Sequence, residues 1–317
     1  MFQVAIIGAG QLGSRHLQGL KTASLPMKIW VIDNNEEALR VAKQRYDQVN
    51  VIGEKVLYLV DEISKLPDML DFVVVATGSK PRAAVIKALL LHSQIKYMIL
   101  EKVLFPRLHE YDEIGEIIKE NKVKCWVNCG RRLLSYPYDI KNLLTDGVLT
   151  MKYEGTDWGL CCNSIHIIDL FMLLVNENDY IVDTTRLYEE VYNSKRNGYI
   201  ELYGIIQIIT PKGSRLLLRC EKPENRIVSK MEIVDGKTFI KVDESLKQYS
   251  LGDSIFSYKM PFQSEMTGTY ADLIIKTGHC ELSTFDESVK YHKPFIRAIL
   301  NFYNKINGTQ SDMCPIT

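Results

Sequence analysis

A glycine-rich segment near the start of the sequence has the residue types and spacing of a turn that binds phosphate. Gly8, Gly10 and Gly13 come directly after a short apolar run and open a segment with a helical pattern. In such a turn the first glycine permits a tight bend, the second lets the backbone approach a pyrophosphate, and the third lets the helix pack closely on the strand. Asp33, at the end of a second apolar run, follows about 20 residues later. Together these residues predict a dinucleotide site, whereas a glycine turn alone would also suit an α/β protein that binds no nucleotide.

The acid at the end of the second apolar run indicates which dinucleotide is bound. A carboxylate at Asp33 can accept hydrogen bonds from the adenosine ribose hydroxyls and repels a 2′-phosphate. Asn34 and Asn35 follow it, and the next arginine is Arg40, so a 2′-phosphate has no obvious partner. The sequence therefore favours NAD over NADP as the cofactor.

The N-terminal third alternates apolar runs with helical patterns, as expected for a doubly wound parallel sheet. The predicted strands cover residues 4–7, 29–32, 72–76, 97–100 and 124–128, and the predicted helices cover 13–21, 36–46, 82–92 and 110–121. Beyond about residue 128 the patterns predict helices over 138–144 (ending at Asp146-Gly147), 163–175 and 284–305, with several strands from 184 to 282. We therefore predict an α/β protein. A Rossmann domain covers residues 1–125, and residues 126–317 form an α+β domain for substrate binding and oligomerisation, with a large, mostly antiparallel open sheet.

Composition excludes several classes of function. The 317 residues can form two domains, and lysine plus arginine equals aspartate plus glutamate at 39 each, so no net field attracts nucleic acid or an anionic membrane. The N-terminus lacks a signal-peptide pattern, and no window has the apolar length of a membrane span. The seven cysteines form no CxxC pair, which indicates reduced thiols rather than a metal site. We expect a cytoplasmic protein with a small-molecule substrate and no bound metal.

Two further positions carry residue types suited to acid/base chemistry. Glu101-Lys102 follows the predicted strand 97–100, at the carboxyl edge where ligands bind in open α/β sheets. A lysine there can exchange a proton with a substrate hydroxyl during hydride transfer, or it can be a solvated surface lysine. His166 lies three residues after Asn163 on one face of a predicted helix, where it can transfer protons near neutral pH or be a satisfied core residue.

Arg131 and Arg132 follow the last predicted parallel strand. A guanidinium binds a carboxylate or a phosphate in bidentate fashion, so one of the pair could recognise an acidic sugar or a nucleotide-sugar diphosphate. An ion pair between domains is the alternative.

Several segments occur in the order seen in the glucose–fructose oxidoreductase/inositol dehydrogenase (Gfo/Idh/MocA) family, which the first 175 residues resemble. The segments are Gly8–Gly13, Asp33, VVVATGS at 73–79, LEKV at 100–103, CGRRLLSYPY at 129–138 and NSIHIIDL at 163–170. The resemblance implies an NAD(P)-dependent dehydrogenase of sugars and related polyols. It further implies that Lys102 is the acid/base group and that His166 binds the substrate hydroxyl or relays its proton.

The sequence departs from the family pattern at three positions. Val103 stands where the family has the proline of a Glu-Lys-Pro motif, and Arg82 where a histidine is common. Cys162 stands where many members have an aspartate four residues before the histidine. A thiol cannot stabilise an imidazolium as a carboxylate does. Either Asn163 or Asp157 substitutes, or the lysine and histidine act alone, or the protein no longer turns over.

The residues and the resemblance together give a set of predicted site residues. They are catalytic Lys102 and His166; cofactor-binding Gly8, Gly10, Gln11, Leu12, Gly13, Asp33, Thr77, Glu101 and Lys102; and substrate-binding Arg131, Arg132, Asn163 and His166. A second Glu-Lys-Pro, at 221–223, matches the family motif better but follows a predicted antiparallel strand, so we predict a surface turn there.

We expect an NAD-dependent dehydrogenase or reductase that moves a hydride between the nicotinamide and a ring hydroxyl or ketone of a sugar or sugar derivative. The resemblance suggests a sugar of surface-polysaccharide or nonulosonic-acid synthesis. The alternatives are a non-catalytic NAD-binding regulator or sensor on the same fold, and a reductase of a non-sugar substrate. The open sheet is expected to pack against a copy of itself in a homodimer or homotetramer.

Overall fold

The structure, a computed structural model, describes residues 1–145 and 147–317. The chain forms two compact units. The first unit comprises Met1–Phe105, His109–Asn128 and Pro261–Phe285, and the second comprises Pro106–Leu108, Cys129–Met260 and Asp286–Thr317. Within the described residues no helix is both long and apolar enough to cross a membrane. Asp146 of the predicted helix end lies outside the described residues.

Helices and strands alternate along the first part of the chain. In order they are β1 (Phe2–Ile7), α1 (Gln11–Lys21), β2 (Met27–Ile32), α2 (Glu36–Asp47), β3 (Lys55–Val60), β4 (Met69–Val75), α3 (Ser79–His92), β5 (Gln94–Leu100), α4 (Leu108–Glu120) and β6 (Lys124–Val127). The remainder contains α5 (Tyr136–Lys141), β7 (Leu149–Thr156), α6 (Leu160–Val175), β8 (Ile181–Leu187), β9 (Tyr192–Asn193), β10 (Ile200–Glu201), β11 (Gly204–Ile209), β12 (Arg215–Glu221), β13 (Lys230–Asp235), β14 (Thr238–Asp243), β15 (Gln248–Leu251), β16 (Ser254–Ser257), α7 (Gln263–Thr277) and α8 (Phe285–Asn307).

The first unit is built on a six-stranded sheet in the order β3-β2-β1-β4-β5-β6, with every adjacent pair parallel. Residues 72–75 of β4 and 98–100 of β5 are fully buried, as expected for central strands with both faces covered. The direction in which strands are added reverses between β1 and β4, and ligands bind at such a switch point. The sequence did not predict β3, an edge strand with largely half-exposed residues.

The second unit contains an eight-stranded sheet in the order β16-β15-β14-β13-β7-β12-β11-β8. Only β7 and β12 pair in parallel among its described neighbours; the other pairs are antiparallel. Met151, Leu218 and Ile233 on one face are buried, whereas Lys152 and Arg219 lie on the other face. This two-residue alternation is typical of a sheet with one covered face. The predicted fold class is confirmed in both sheets.

The segment 263–277 is a helix, and the prediction of strands as far as residue 282 is wrong there. Its buried face begins with Thr267, next to Gly268, and neither residue type favours a helix. The division into units also differs from the predicted boundary between residues 125 and 126. Residues 261–285 belong to the first unit because α7 packs against α1.

Two glycines let α1 and α7 approach each other closely. A Cβ on Gly268 would lie 2.4 Å from the carbonyl oxygen of Gly19 and 2.9 Å from the backbone nitrogen of Ala23. A Cβ on Gly19 would lie 2.7 Å from the Cβ of Thr267. Only residues without side chains fit at both positions, so this contact fixes α7 on the N-terminal helix.

We expect the Gly268→Ala substitution to lower the free energy of unfolding by about 1–3 kcal/mol, because the new methyl group overlaps backbone atoms of α1. This overlap outweighs the roughly 1 kcal/mol that alanine gains over glycine in a helix. Gly10→Ala is the matched control, since no described atom beyond its chain neighbours lies within 4 Å of the added Cβ. Urea unfolding followed by circular dichroism measures both variants. A Gly268→Ala protein as stable as the control would contradict the close packing.

Candidate functional site

The candidate residues of the first unit follow the ends of adjacent strands at the carboxyl edge of the sheet. The first residue after a strand still donates its N–H to a carbonyl of the neighbouring strand. These pairs are Gly8–Ile32, Ala76–Ile7, Glu101–Val75 and Asn128–Leu100, with N–O distances of 2.8, 2.8, 3.1 and 2.9 Å. The sheet ladder therefore fixes the backbone position from which each candidate side chain projects.

The three glycines of the turn have different surroundings, as the motif predicts. Gly8 has φ of +97°, and a Cβ there would lie 3.1 Å from the nitrogen of Thr77. A Cβ on Gly13 would lie 1.8 Å from the Gly8 carbonyl oxygen, so the helix packs directly on the turn. Gly10 faces open space at the N-terminus of α1, where no described side chain forms a capping hydrogen bond.

Asp33 is half-buried beside the turn. Its Oδ2 accepts a hydrogen bond from the Ala9 N–H at 2.7 Å, and its Oδ1 accepts one from the Asn35 N–H at 3.0 Å. A carboxylate has about four acceptor positions, so two remain for ribose hydroxyls. The open space at Gly10, the uncapped helix end and this carboxylate fit a dinucleotide whose pyrophosphate lies at α1 and whose adenosine ribose lies at Asp33.

The other predicted cofactor residues lie around the same edge. Gln11 and Leu12 begin α1, and Gln11 Oε1 accepts a hydrogen bond from Arg45 Nη2 at 2.6 Å. Thr77 is half-buried after β4, and its Oγ1 is buried without a hydrogen-bond partner among the described residues. The position of Thr77 is consistent with a cofactor contact, which stays a prediction.

Lys102 is half-buried between two buried neighbours, and the Lys102–Val103 peptide is cis. The buried guanidinium of Arg82 donates to the carbonyl oxygens of Val103 and Leu104 and to that of Thr77. Arg82 thus joins the segment that carries Lys102 to the segment after β4. The sequence marked Arg82 as a departure from the family but did not predict these contacts.

Glu101 points into the first unit and is 3% exposed. Its Oε1 accepts hydrogen bonds from His16 Nε2 at 2.9 Å and from Asn128 Nδ2 at 2.5 Å. Burial raises the pKa of the Glu101 carboxyl. The hydrogen bond and charge of His16, followed by Asn128 and Lys102, lower it by more than burial raises it, so the net pKa lies below the ordinary value. Sequence reasoning missed His16, whose only signal is its position three residues after Gly13 on the same face of α1.

In the second unit, the predicted residues lie on a half-buried face of α6. Cys162 and Asn163 lie four and three residues before His166, so each shares a helix face with His166, and all three residues are half-buried. Asn163 Nδ2 donates a hydrogen bond to the Trp158 carbonyl oxygen at 2.6 Å. Asn163 therefore already has a local structural contact at the start of the helix.

Two carboxylates bind groups near the start of α6. Glu201 Oε2 accepts a hydrogen bond from the Cys161 N–H at 2.8 Å, and its Oε1 accepts one from the Cys162 N–H at 3.2 Å. Asp157 Oδ1 accepts a hydrogen bond from the Tyr203 hydroxyl at 2.9 Å. Substitution of Asp157 for the aspartate of the family pattern stays a prediction.

Arg131 and Arg132 form ion pairs inside the second unit. Arg131 Nε and Nη2 lie 2.8 and 2.9 Å from the two carboxylate oxygens of Glu244. Arg132 Nε lies 2.8 Å from Asp169 Oδ2, and these two side chains are only 8% and 1% exposed. Burial lowers the pKa of each guanidinium, but the paired acid more than offsets it and the net pKa is raised. The alternative of an ion pair between domains is therefore corrected, because both acids belong to the same unit as the arginines.

Tyrosines surround the Arg131–Glu244 pair. The Tyr153 hydroxyl donates to Glu244 Oε2 at 3.2 Å, and burial together with Glu244 raises the pKa of Tyr153 to about 12. The rings of Tyr136 and Tyr258 lie 4.4 Å apart, and neither buried hydroxyl has a hydrogen-bond partner among the described residues. Arg131, one of the two arginines that the sequence predicts to bind substrate, thus lies in a polar, aromatic environment.

We expect Arg132→Met to lower the free energy of unfolding by about 3–5 kcal/mol, because it leaves the Asp169 carboxylate buried without its cation. Arg107→Met is the control: the Arg107–Asp312 pair is 33% and 72% exposed, and its loss should cost at most about 1 kcal/mol. Chemical unfolding of both variants gives the comparison. An Arg132→Met protein with unchanged stability and weaker binding of an anionic substrate would instead favour the substrate-binding role.

Comparison with known proteins agrees with the geometry of the first unit. Residues 2–129 match the GFO_IDH_MocA family model, described as "Oxidoreductase family, NAD-binding Rossmann fold". A comparison with curated protein sequences finds no match. The family match confirms the predicted family, the NAD cofactor and the assignment to NAD(P)-dependent oxidoreductases.

Solved structures with low sequence identity share the fold over nearly the whole chain. The scyllo-inositol dehydrogenase of Lactobacillus casei, solved with NAD(H) and scyllo-inositol, has 15% identity and a TM-score of 0.67, covering 96% of this chain and 97% of that one. The UDP-N-acetylglucosamine 3-dehydrogenase GnnA of Acidithiobacillus ferrooxidans has 14% identity and a TM-score of 0.70, covering 93% and 94%. An Agrobacterium radiobacter oxidoreductase in complex with NAD+, L-tartaric acid and magnesium has 12% identity and a TM-score of 0.68, covering 94% of each chain. Residues 2–129 of this chain therefore belong to the Gfo/Idh/MocA oxidoreductase family and form its NAD-binding Rossmann fold.

Proposed function

We propose that the protein is an NAD-dependent dehydrogenase or reductase that acts on a ring hydroxyl or ketone of a sugar or sugar derivative. One observation carries the proposal: Asp33, the glycine turn and Lys102 all follow strands at the carboxyl edge of the same parallel sheet. Asp33 follows β2 and Lys102 follows β5, with β1 and β4 between them. Three strand spacings correspond to about 14 Å, so a ribose-binding carboxylate and an amine lie at separate ends of the edge that a dinucleotide would span.

The proposed mechanism assigns proton transfer to Lys102. The nicotinamide of a bound NAD would supply the hydride acceptor for oxidation and, in its reduced form, the hydride donor for reduction. The Nζ of Lys102 takes the proton of the substrate hydroxyl during oxidation and returns one to the oxygen during reduction. The position of Lys102 just after β5, at the carboxyl edge of the parallel sheet, supports this role.

Residues of the second unit are proposed to bind the substrate. His166 binds the reacting hydroxyl or relays its proton, and Asn163 contributes a further polar contact, as the family resemblance implies. Of the two arginines, Arg131 is the better candidate for a substrate contact, since its side chain is 16% exposed against 8% for Arg132. The bidentate Glu244 partner balances the charge of Arg131, which favours a ligand bound through hydroxyl groups.

The names of the solved dehydrogenases support a chemical class of substrate and do not identify the substrate of this protein. Structures of the same fold include enzymes named for scyllo-inositol and for UDP-N-acetylglucosamine. We propose a cyclic polyol, sugar or nucleotide-sugar in the cytoplasm, with surface-polysaccharide or nonulosonic-acid synthesis as the context. The paired state of both arginines gives less support to a strongly anionic sugar than the sequence alone did.

We expect Lys102→Ala to reduce turnover by about 10²–10⁴-fold, because the proton-transfer group is lost, while the dissociation constant for NADH changes less than about threefold. The assay screens cyclic polyols, sugars and nucleotide-sugars with NAD, NADP and their reduced forms, following absorbance and fluorescence of the reduced nicotinamide. Lys222→Ala is the matched control, since Lys222 belongs to the second Glu-Lys-Pro and pairs with Glu190 away from the parallel sheet.

Each outcome of this screen has a separate meaning. Full turnover in Lys102→Ala would refute the assigned proton transfer. If His166 and Lys102 act on the same substrate, turnover of the double variant His166→Ala/Lys102→Ala should fall by much less than the product of the two single reductions. Binding of NADH without turnover of any sugar would favour the sensor or a non-sugar substrate, and no binding of either nucleotide would refute the dinucleotide site.

We further propose that the protein forms a homodimer or homotetramer through the open face of the eight-stranded sheet. Glu154 lies between Arg219 and Lys230 on this face, at 3.7 and 3.2 Å, and Val234 and Phe239 are exposed beside them. Mixed charges and exposed apolar side chains suit an isologous contact. Multi-angle light scattering should give two or four times the 36.4 kDa chain mass, and a monomer would contradict the proposal.

A further inference from the structure

A buried polar cluster adjoins Lys102, and the proton transfer proposed above makes no use of it. His16 and Thr267 are fully buried, and Glu101, Asn128 and Tyr270 are at most 3% exposed. The residues come from α1, α7 and the ends of β5 and β6. Since burial of polar groups is costly unless they are hydrogen-bonded, this cluster must provide its own partners.

Both donors in the cluster act on one oxygen of Glu101. His16 Nε2 and Asn128 Nδ2 lie 2.9 and 2.5 Å from Glu101 Oε1. An ionised carboxylate only accepts hydrogen bonds, so two donors on one oxygen suit the charged form. Asn128 Nδ2 also lies 2.8 Å from Gln263 Oε1, which fixes the amide in the orientation that donates to Glu101.

Contacts at Nδ1 hold the His16 ring in one orientation, whether or not Nδ1 carries a proton. His16 Nδ1 lies 3.0 Å from Thr267 Oγ1 and 3.1 Å from the Tyr270 hydroxyl. The Thr267 hydroxyl donates to the Gln263 carbonyl oxygen at 2.9 Å, so Thr267 Oγ1 can accept from a protonated Nδ1. The Tyr270 hydroxyl can donate to an unprotonated Nδ1. In both cases Nε2–H remains directed at Glu101.

We propose that Glu101, held as a carboxylate by His16 and Asn128, is a positioning residue that stabilises the ammonium form of Lys102. Lys102 is the next residue in the chain and is half-buried, and burial alone would favour its neutral form. A fixed negative charge opposes that effect and keeps a proton on Nζ for ketone reduction. The catalytic meaning rests on the proposed function, but the effect on the Lys102 charge does not.

The groups around Glu101 support this direction. His16 contacts Glu101 from α1, and the segment after β6 contributes the neutral amide of Asn128. Tyr270 of α7 contacts the far side of His16, and Lys102 follows Glu101 in the chain. Burial raises the pKa of Tyr270, and the Glu101 charge and Cys280 raise it further, although its hydrogen bonds act in the opposite direction. Lys102 contributes in turn to the lowered pKa of Glu101. The raised pKa of the Tyr270 phenol is thus consistent with a negative charge at Glu101.

The test is competitive acetylation of Lys102 as a function of pH in the full-length protein, read by peptide mass spectrometry. Only the neutral amine reacts, so the midpoint of the labelling curve reports the Lys102 proton without a substrate. Glu101→Gln should move this midpoint to lower pH by about one unit, because the carboxylate charge is lost. Glu101→Asp, which keeps the charge, should stay near the wild type. Glu120→Gln on the exposed end of α4 is the matched control and should leave the midpoint unchanged.

A second variant keeps the test possible if the first does not fold. If Glu101→Gln alone does not fold, the double variant His16→Gln/Glu101→Gln replaces the pair with two neutral amides that can hydrogen-bond to each other. Its midpoint, compared with that of His16→Gln alone, should show the same downward shift. An unchanged midpoint in the folded Glu101→Gln or double variant would overturn the inference. A shifted midpoint in a protein that turns over no sugar would support the inference and count against the proposed function alone.

Discussion

Parallel hydrogen bonding among β2, β1, β4 and β5 is the constraint on which the candidate site depends. The ladder continues past the strand ends, because the N–H groups of Gly8, Ala76 and Glu101 still bond to neighbouring strands. A slip of one residue in any strand would turn its edge side chain to the opposite face of the sheet. The sheet therefore sets the direction of Asp33, the glycine turn and Lys102. Loop conformation alone would place these groups less precisely than regular strands do.

The same constraint links the cofactor turn to the buried carboxylate. The N-terminus of α1 lies at the glycine turn, and further along the helix His16 reaches Glu101. Burial raises the pKa of Glu101, and the His16 donor opposes that effect. The close contact of Gly268 with Gly19 then holds α7 against α1, so that Thr267 orients the far side of the His16 ring. A segment more than 240 residues away in sequence is thus required for the local electrostatics of the turn.

The sequence predicted the elements whose signal is local. Five parallel strands, the glycine turn and Asp33 follow from short apolar runs and from glycine spacing, and all lie where the pattern placed them. It failed for β3, whose half-exposed residues resemble a loop, and for α7, which packs through Gly268 and Thr267 rather than through a wide apolar stripe. The buried contacts of His16 could not be found, because a sequence without homologues does not show that His16 meets Glu101 across 85 positions and Thr267 across 251. Ion-pair partners could not be predicted for the same reason, since the pairing of Arg131 with Glu244 spans 113 positions.

At two positions where the sequence departs from the family pattern, another residue of the fold makes a structural contact nearby. Val103 lacks the restriction that a proline would give to the chain, and the buried Arg82 instead donates to the carbonyl oxygens of Val103 and Leu104. A buried guanidinium is tolerated only when its donors are satisfied, so Arg82 and the segment after Lys102 constrain each other. At Cys162 the carboxylate of the family pattern is missing, yet Glu201 places one at the same end of α6. That charge acts on the helix N–H groups and stabilises the helix end, so it can replace the missing aspartate in fixing α6 without replacing it in proton transfer.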